Sequence, residues 1–176
     1  MVKRKVNVND TDRDTTRDGG ENRDRDRATR AVQAAIEADE GMRPYGIKVE
    51  ARGDDKVRIW GVVDTLSEKN RAGDIARSIP GISEVENDLA ISTDGEISDS
   101  EVAFEAREEL AAEPGVDLRG VGVQSGGGTV ILKGEVESEG EREAAMRAVS
   151  KARGARMVVS QLKDKGTGPN RGNNGA

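Results

Sequence analysis

An internal repeat constrains this chain more than any other feature of its sequence. Segments 57–89 and 130–162 align without a gap at a spacing of 73 residues, which places Gly61 on Gly134. Upstream the spacing becomes 74 residues, and the match continues through one more strand and one more helix. Similarity over about 65 residues with one short gap indicates a duplicated structural unit. The fold must therefore be one that a single copy can form and that the chain can build twice.

Each copy has the hydrophobic pattern of helix, strand, strand, helix and strand. In the first copy Val57 and Ile59 alternate with polar residues, as in a half-buried strand, and Ala72, Ile75 and Ala76 follow at helical spacing. A turn-rich loop predicts an antiparallel first pair of strands, and the strand–helix–strand crossover predicts a parallel second pair. We therefore predict an α+β fold class with two tandem αββαβ domains, each a three-stranded mixed sheet with two helices on one face.

The repeated pattern resembles the BON domain, the bacterial OsmY and nodulation family. The resemblance rests on V-x-I/L-x-G at 57–61 and 130–134, and on G-(I/A)-x-x-V-x-(N/S)-x-L at 81–89 and 154–162. It covers roughly residues 27–165, and the second copy fits more loosely than the first. The resemblance implies small non-catalytic modules and carries over no ligand residue, and it implies structural roles for four glycines, Gly61, Gly81, Gly134 and Gly154.

The repeat and the flanking composition predict five segments. They are a disordered charged tail at 1–26, BON domain 1 at 27–92, a linker at 93–98, BON domain 2 at 99–165 and a flexible tail at 166–176. The first helix is expected from about Asp26 to Ala38, and Ser67 is expected to cap the second helix. Ser98 or Asp99 should cap the third helix, on which Phe104 could fill a seam between the domains.

The residue types present exclude most catalytic chemistry. The chain has no cysteine and no histidine, which removes thiolate nucleophiles, disulfides, histidine-based triads and the commonest transition-metal ligand. No glycine-rich loop precedes a helix, as phosphate-binding loops require. We therefore expect no enzyme activity, no cofactor and no metal. Acidic residues at 10, 12, 14, 18 and 21 imitate a calcium loop, but Thr15 replaces its glycine, which favours a solvated segment.

The charge balance bears on partners and location. The formal net charge is −6, so bulk electrostatics do not attract nucleic acid, and we expect no nucleic-acid partner. The N-terminal stretch is charged and has no apolar run, and no segment is apolar enough to span a bilayer. These features predict a cytoplasmic protein, either free or peripheral to the membrane.

The outer faces of the two predicted sheets supply the first group of candidate binding residues. Strand alternation turns Arg58 and Trp60 away from the helices in the first copy. In the second copy it turns out Ile131, Lys133, Met157 and Val159. Exposed apolar patches usually mark association surfaces. We favour packing of these faces on each other or on a second copy, with a ligand or partner site around Trp60 as the alternative.

Two further groups of candidates lie outside the sheets. Met42, Arg43 and Tyr45 belong to a loop that either closes the edge of the core or protrudes as an amphipathic contact for a membrane or partner. Arg153 and Arg156 follow the last helix. Their charges either complement the helix dipole, which we favour, or form a basic patch for phosphate headgroups.

The function expected from the resemblance is association with phospholipid, a membrane surface or a protein partner in osmotic or envelope stress. One alternative is a self-associating structural protein or scaffold that uses the open sheet faces. A second alternative is a cytosolic sensor of potassium or an osmolyte, as in one branch of the family. That branch carries a LysM domain, which this chain lacks.

Overall fold

In the computed structural model, which describes residues 15–92 and 97–166, each copy of the repeat forms its own sheet. The first domain contains α1 Thr15–Ala38, a short 3-10 helix Arg43–Tyr45, β1 Lys48–Ala51, β2 Lys56–Val63, α2 Leu66–Arg77 and β3 Glu84–Ile91. The second domain contains α3 Asp99–Ala111, β4 Val121–Gly126, β5 Thr129–Val136, α4 Glu139–Val149 and β6 Met157–Asp164. The predicted αββαβ order is confirmed in both copies.

The two sheets have the same topology, with the middle strand of the sequence at the centre. The orders are β1-β2-β3 and β4-β5-β6, with an antiparallel first pair and a parallel second pair in each sheet. Ile59 on β2 lies opposite Val49, and Leu132 on β5 lies opposite Val123. The mixed three-stranded sheet predicted from the loop and the crossover is therefore confirmed.

Each sheet packs one face on its two helices and forms a separate core. The first core contains Val32, Ile36, Met42, Ile47, Val57, Ile59, Val63, Ala72, Ala76 and Leu89. The second contains Val102, Ala106, Leu110, Val121, Val123, Val130, Leu132, Val136, Ala145, Ala148, Val149, Ala152, Ala155 and Leu162. Aliphatic burial thus supplies both cores, and the opposite face of each sheet carries no helix.

Helix starts follow capping chemistry. Thr65, and not the predicted Ser67, caps α2, because its side chain accepts a hydrogen bond from the Glu68 N–H while the Glu68 carboxylate accepts from Thr65. This reciprocal capping box satisfies two backbone donors at once. Ser98 caps α3 in the same way with Glu101, so the prediction of a cap at Ser98 or Asp99 is confirmed.

The first helix is longer than its apolar pattern indicates. It begins at Thr15 and not near Asp26, so the prediction of a disordered tail is wrong for residues 15–26. Adding a turn to a helix that is already packed gains one hydrogen bond for each residue that is fixed, which carries the helix through Gly19, Gly20 and several aspartates despite their low helix propensity. Arg25 also contacts the Asp54 carboxylate in the β1–β2 loop, at 2.6 Å. The calcium-like positions 10, 12 and 14 lie outside the described residues.

The domains meet through the ends of helices and not through the faces of sheets. The backbone N–H of Ser67 in the first turn of α2 donates to the carbonyl oxygen of Ser150, the C-cap of α4, at 2.9 Å. This contact is called the helix junction below. Trp60 and Met157 on the outer faces stay 45% and 55% exposed, so the expected packing of the two faces on each other is wrong. Unpaired backbone groups at helix ends favour this arrangement, because each end satisfies the other.

Candidate functional site

The outer face of the first sheet is occupied by ion pairs. The Lys56 ammonium contacts the carboxylates of Glu84 at 2.8 Å and Glu86 at 3.0 Å, and the Arg58 guanidinium contacts Asp88 at 2.6 Å. The hydrogen bonds that Lys56 donates to Glu84 and, to a smaller extent, to Glu86 raise the pKa of the Lys56 side chain. Lys56 and Arg58 are therefore neutralised by acids on the neighbouring strand.

Trp60 marks the apolar end of the same face. It lies between Lys48 on β1 and Asp88 on β3, as the strand register shows. Val62, the next outward residue on β2, is 54% exposed and lies beside Ala90. The structure thus turns Arg58 and Trp60 outward, as predicted, but it places Arg58 in an ion pair and leaves Trp60 uncovered.

The outer face of the second sheet is apolar where the first is charged. At the 73-residue spacing, Ile131 replaces Arg58, Met157 replaces Glu84 and Val159 replaces Glu86. Ile131 lies beside Val159 in the register of β5 and β6, and Met157 is the outward residue preceding Val159. These three residues, called the apolar strip below, form one continuous surface beside which no helix packs.

Two cations, Lys133 and Lys163, share the outer face with the apolar strip, and a third, Arg156, lies at the edge of the sheet. Lys133 donates a hydrogen bond from its ammonium to the Gln124 amide oxygen at 2.7 Å. Arg156 lies beside the β4–β5 turn. A Cβ added to Gly128 in that turn would lie 3.2 Å from the Cγ and Cδ atoms of Arg156. Lys163 follows on the exposed side of β6. Within residues 15–92 and 97–166 none of the three makes an ion pair with a carboxylate, and the acid nearest in the strand register is Glu135, opposite Lys163.

The loop candidates do not form a protruding contact. Met42 is 1% exposed and belongs to the first core, so the amphipathic-loop alternative is wrong for this side chain. The Tyr45 hydroxyl donates to the Asp64 carboxylate at 3.0 Å, and burial raises the pKa of the Tyr45 phenol. Arg43 is exposed and donates to the Glu37 carbonyl oxygen at 3.3 Å. A buried methionine explains the loop, because its side chain closes the end of the core.

The two arginines after α4 face different surroundings. Arg153 lies 3.5 Å from the Glu105 carboxylate on α3 and lines a small pocket with Asp64 and Thr65 of the first domain. Arg156 instead packs on the β4–β5 turn. The structure therefore separates Arg156 from Arg153, and strand alternation turns Arg156 away from the face that carries Met157 and Val159.

The glycines implied by the resemblance have conformations that favour glycine. Gly134 has φ of 122°, and a Cβ added there would lie 1.9 Å from the Gly120 carbonyl oxygen. Gly154 has φ of 80°, and its added Cβ would lie 2.7 Å from a Val102 methyl. Gly61 and Gly81 also have positive φ, of 146° and 90°. Residues with a side chain are strained at such positive φ values, which accounts for glycine at these positions in both copies.

Sequence reasoning missed two surface features. Phe104 is 60% exposed on α3, so it fills no seam between the domains. Phe104 lies two residues from both Val102 and Ala106, which at 3.6 residues per turn places it on the other side of the helix from these buried side chains. This spacing could have predicted that Phe104 is exposed. The second is a cleft of about 640 Å³ between α2 and α4, called the helix cleft below. Its walls are Asn70, Arg71 and Asp74 on α2 and Glu143, Met146 and Arg147 on α4.

Two properties of the described residues bear on the kind of site. None of their helices combines the length and apolar character needed to cross a membrane. Across residues 15–92 and 97–166, no group of three or more acidic, histidine or cysteine side chains is placed to hold a metal ion. The candidate surfaces that remain are the apolar strip, the Trp60 end of the first sheet, Phe104 and the helix cleft.

Comparisons with known proteins agree with the repeat. The family model described as BON domain matches twice, at residues 24–93 and 98–165. The osmotically-inducible protein Y of Escherichia coli (strain K12) is 26% identical over 144 residues, which cover 78% of this chain and 71% of that protein.

Two solved structures of CdsD, a structural protein of the type III secretion system of Chlamydia trachomatis, are also similar. Both are 14% identical, with TM-scores of 0.33 and 0.32. The matches cover 79% and 78% of this chain but only 62% and 65% of those chains, less than two thirds of their length. TM-scores this low support no conclusion about function. The two family matches cover most of the chain and coincide with its two sheets, so the chain belongs to the BON-domain family and carries two BON domains in tandem.

Proposed function

We propose that this chain is a non-catalytic binding protein of osmotic or envelope stress, which attaches to anionic phospholipid surfaces through the outer face of its second sheet. The observation that carries the proposal is the apolar strip, flanked on the same face by Lys133 and Lys163, neither of which makes an ion pair among the described residues. The similarity to an osmotically inducible protein supports the physiological setting.

The strip and its cations suit the two layers of a membrane surface. Met157, which is 55% exposed, can enter the boundary between headgroups and acyl chains, where apolar area is removed from water. Each lysine or arginine near an anionic leaflet contributes about 1 kcal/mol to the free energy of membrane binding. The net charge of −6 opposes approach of the whole molecule, so attachment is expected to be weak and local.

The first sheet provides a natural comparison within the same chain. Its cations Lys56 and Arg58 already contact carboxylates, and an anionic membrane would have to compete with those acids. We therefore expect the second domain to carry most of the lipid affinity, and changes on the outer face of the first domain to have little effect.

Co-sedimentation with vesicles tests the proposal. The protein is mixed at low salt with phosphatidylcholine vesicles that either contain or lack phosphatidylglycerol. Binding is expected only to the anionic vesicles, and added salt should weaken it because the contacts are exposed. The double variant Lys133→Glu, Lys163→Glu should lose binding, whereas the control Arg58→Gln should keep it.

Two outcomes would overturn the proposed surface. Absence of binding to anionic vesicles at low salt would exclude lipid attachment, because attraction to headgroups is strongest there. If Phe104→Ala abolished binding while the double lysine variant bound normally, the lipid-binding surface would lie on the helical side of the second domain.

A second candidate function is self-association through the open sheet faces. The exposed Trp60 and Val62 favour it, because large apolar residues that lie together on a surface commonly mark association sites. Light scattering over a range of protein concentrations checks this candidate. Growth in mass that Trp60→Ala reverses would support it, and a monomer at all concentrations would exclude it.

A further inference from the structure

The edge strands of the two sheets differ in the charges that they carry. A strand at the edge of a sheet leaves half of its main-chain groups unpaired, and proteins commonly protect such edges with charged side chains. In the first sheet β1 carries Lys48 and Glu50, and β3 carries Glu84, Glu86 and Asp88. In the second sheet β4 has the sequence VGVQSG, which contains no charged residue. The second sheet therefore lacks on β4 the protection that the first sheet has on both of its edges.

β4 is also the more open of the two edges of the second sheet. On β6 the Arg142 guanidinium, which is paired with Glu139, donates to the Leu162 carbonyl oxygen at 2.5 Å. Val158 of β6 lines the helix cleft and so faces the first domain. β4 instead packs on β5 and α3, and none of its residues lines that cleft. An additional strand can therefore approach β4 without meeting the first domain.

The register of β4 and β5 determines which main-chain groups face the open edge. The Glu135 N–H donates to the Gly120 carbonyl oxygen at 2.9 Å, so these two residues form a hydrogen-bonded pair. In an antiparallel ladder such pairs alternate, so the even-numbered residues of β4 are bonded to β5 and the odd-numbered residues face the open edge. The N–H and C=O groups that face outward, called the β4 edge below, belong to Val121, Val123 and Ser125.

Two cations lie beside the β4 edge. On the helical side, the Arg107 guanidinium of α3 donates to the Val123 carbonyl oxygen at 3.1 Å. On the outer side, the Lys133 ammonium reaches over β4 to donate to the Gln124 amide oxygen at 2.7 Å. Neither cation forms an ion pair with a carboxylate within the described ranges 15–92 and 97–166. Gly122 lies opposite Lys133 in the register, so it places no side chain between that ammonium and the edge.

The first domain has neither of these cations. The repeat places Gln33 on Arg107 at the spacing of 74 residues and Trp60 on Lys133 at the spacing of 73. Gln33 donates to the Ile47 carbonyl oxygen, just before β1, at 3.1 Å. A neutral side chain thus makes the corresponding contact in the first domain, so the positive charge of Arg107 is not required for it.

We infer that the β4 edge binds an extended acidic segment of a partner protein, which joins the second sheet as a fourth strand antiparallel to β4. Addition of a strand to an exposed sheet edge is a common mode of peptide recognition, in which main-chain hydrogen bonds supply affinity and side chains supply specificity. One acidic residue, opposite Val123, would contact Arg107 on the helical side. The next, opposite Gly122, would reach across the glycine to Lys133.

Two consecutive acids supply both contacts because neighbouring residues of a strand point to opposite faces. At about 4.8 Å between strands, the added strand would lie about 10 Å from β5. Extended glutamate and lysine side chains together span that distance, and Lys133 already leans toward β4. Hydrogen bonds between charged groups are stronger than neutral ones, so the two cations favour an acidic segment over a neutral one.

The same charges distinguish a partner from a second copy of this chain. Pairing of β4 with β4 of a second copy about a two-fold axis would bring two Arg107 and two Lys133 side chains together, and like charges on paired strands are destabilising. The net charge of −6 repels an acidic partner at long range, so binding is expected to be weak. The segment binds in solution, so this inference does not depend on lipid attachment.

An NMR titration of the full chain with the peptide acetyl-Val-Thr-Glu-Glu-Val-amide tests the inference without lipid. The peptide should shift the resonances of β4 and slow amide exchange at Val121, Val123 and Ser125, whose N–H groups gain acceptors. The matched control peptide has glutamine in place of both glutamates. It should bind about tenfold more weakly or worse, as expected for loss of charge-assisted hydrogen bonds.

Methylated peptides separate strand addition from simple attraction of charges. In an added strand the N–H groups of alternate residues face β4. Methylation of the third peptide nitrogen, which faces Val123, should weaken binding about tenfold or more, whereas methylation of the fourth, which faces solvent, should change it by about twofold or less. Equal binding of the two methylated peptides would overturn the inference, because charge alone would then hold the peptide.

Variants of the protein give the second arm of the test. Arg107→Gln introduces the residue of the first domain and should weaken binding about tenfold. Gly122→Glu places an acid beside Lys133 and should abolish binding, and it is sterically allowed because the added Cβ would lie 3.7 Å from the Lys133 carbonyl oxygen. Lys48→Glu introduces the same acid at the equivalent position of β1 and should bind the peptide as the wild type does.

Two further results would overturn the inference. The first is that millimolar acidic peptide shifts no resonance of β4. The second is that amide exchange at the β4 edge slows with increasing protein concentration in the absence of peptide, because a second copy would then occupy the edge.

Discussion

The backbone N–H of Ser67 donates to the carbonyl oxygen of Ser150 at 2.9 Å and so joins the N-terminus of α2 to the C-terminus of α4. A helix leaves N–H groups unpaired at its start and carbonyl groups unpaired at its end. One bond here satisfies one group of each kind, and the positive end of one helix dipole meets the negative end of the other. The hydrogen bond at the junction thus depends on main-chain groups and not on a particular side chain.

Amide hydrogen exchange checks this junction directly. Gly140 occupies in α4 the position that Ser67 occupies in α2, the second residue of the helix. Among residues 15–92 and 97–166, its N–H has no carbonyl partner from the other domain. After correction for intrinsic rates, the Ser67 amide should exchange about tenfold more slowly than the Gly140 amide, as expected for one added hydrogen bond. Equal exchange at the two positions would mean that the junction is not formed in solution.

Two equivalent glycines should respond differently to the same substitution. Gly61 and Gly134 both have positive φ, but an added Cβ at Gly61 has no neighbour nearer than 3.6 Å, whereas at Gly134 it meets Gly120 O at 1.9 Å. Gly61→Ala carries only backbone strain and should lower the free energy of unfolding by about 1–2 kcal/mol. Gly134→Ala also forces two strands apart and should lower it by about 3 kcal/mol or more.

Urea denaturation of the two variants measures this difference. The slope of the unfolding free energy against denaturant should stay constant if only stability changes. Similar losses for both variants would show that backbone strain dominates and that β4 and β5 relax around the added methyl group.

The loop after α1 offers a comparison between neighbouring residues. Met42 is buried in the first core, and its neighbour Arg43 is exposed. Met42→Ala should lower the free energy of unfolding by about 2–5 kcal/mol, because it removes buried apolar atoms and leaves a cavity. Arg43→Ala should change it by about 0.5 kcal/mol or less. Thermal unfolding followed by circular dichroism separates the two cases, and a stable Met42→Ala protein would contradict the assignment of Met42 to the core.

Side-chain periodicity was sufficient to predict the architecture of each domain. The alternation around Val57 and Ile59 fixed which face is buried, and it correctly placed Trp60 outside. The repeat then transferred the same topology to the second copy, where Ile131 faces outward as expected from Leu132. These features depend on local pattern and strand pleat, both of which can be seen in a single sequence.

Features that depend on the main chain or on register were not accessible in this way. The ion pairs of Lys56 with Glu84 and Glu86 require the alignment of two parallel strands, which no short-range pattern specifies. The helix cleft depends on the relative placement of two domains, and that placement rests on backbone groups at helix ends. Helix α1 extends into a charged segment because elongation needs no apolar face.

Glu141 should make the second domain sensitive to acid. Its carboxylate accepts hydrogen bonds from the N–H of Asp117 at 2.8 Å and of Glu137 at 2.7 Å. These two bonds, with that from Asp117 the stronger influence, lower the pKa of Glu141 below its usual value. The repeat places Glu141 on Glu68, yet Glu68 instead completes the capping box with Thr65. Equivalent residues thus stabilise different parts of the two domains.

The sign of the pH dependence follows from the direction of that shift. A carboxyl whose pKa is lower in the folded chain adds stability above its unfolded pKa of about 4.3, and this stability is lost as pH falls through the folded value. Glu141→Gln should therefore lower the unfolding free energy at pH 7 by about 1 kcal/mol, because an amide oxygen is a weaker hydrogen-bond acceptor than a carboxylate. The variant should also lose less stability than the wild type below about pH 4.

Urea denaturation of wild type and Glu141→Gln at a series of pH values measures both effects. Glu143→Gln removes the same charge from the same helix, but the Glu143 carboxylate contacts Arg147 and not a backbone N–H, so its effect at pH 7 should be smaller. If Glu141→Gln retained the full acid dependence of the wild type, the two backbone hydrogen bonds would not be the source of acid sensitivity. If only Glu141→Gln shows a shallower dependence of the unfolding free energy on pH, the acid sensitivity arises at the contact between α4 and the segment before β4, where Asp117 lies.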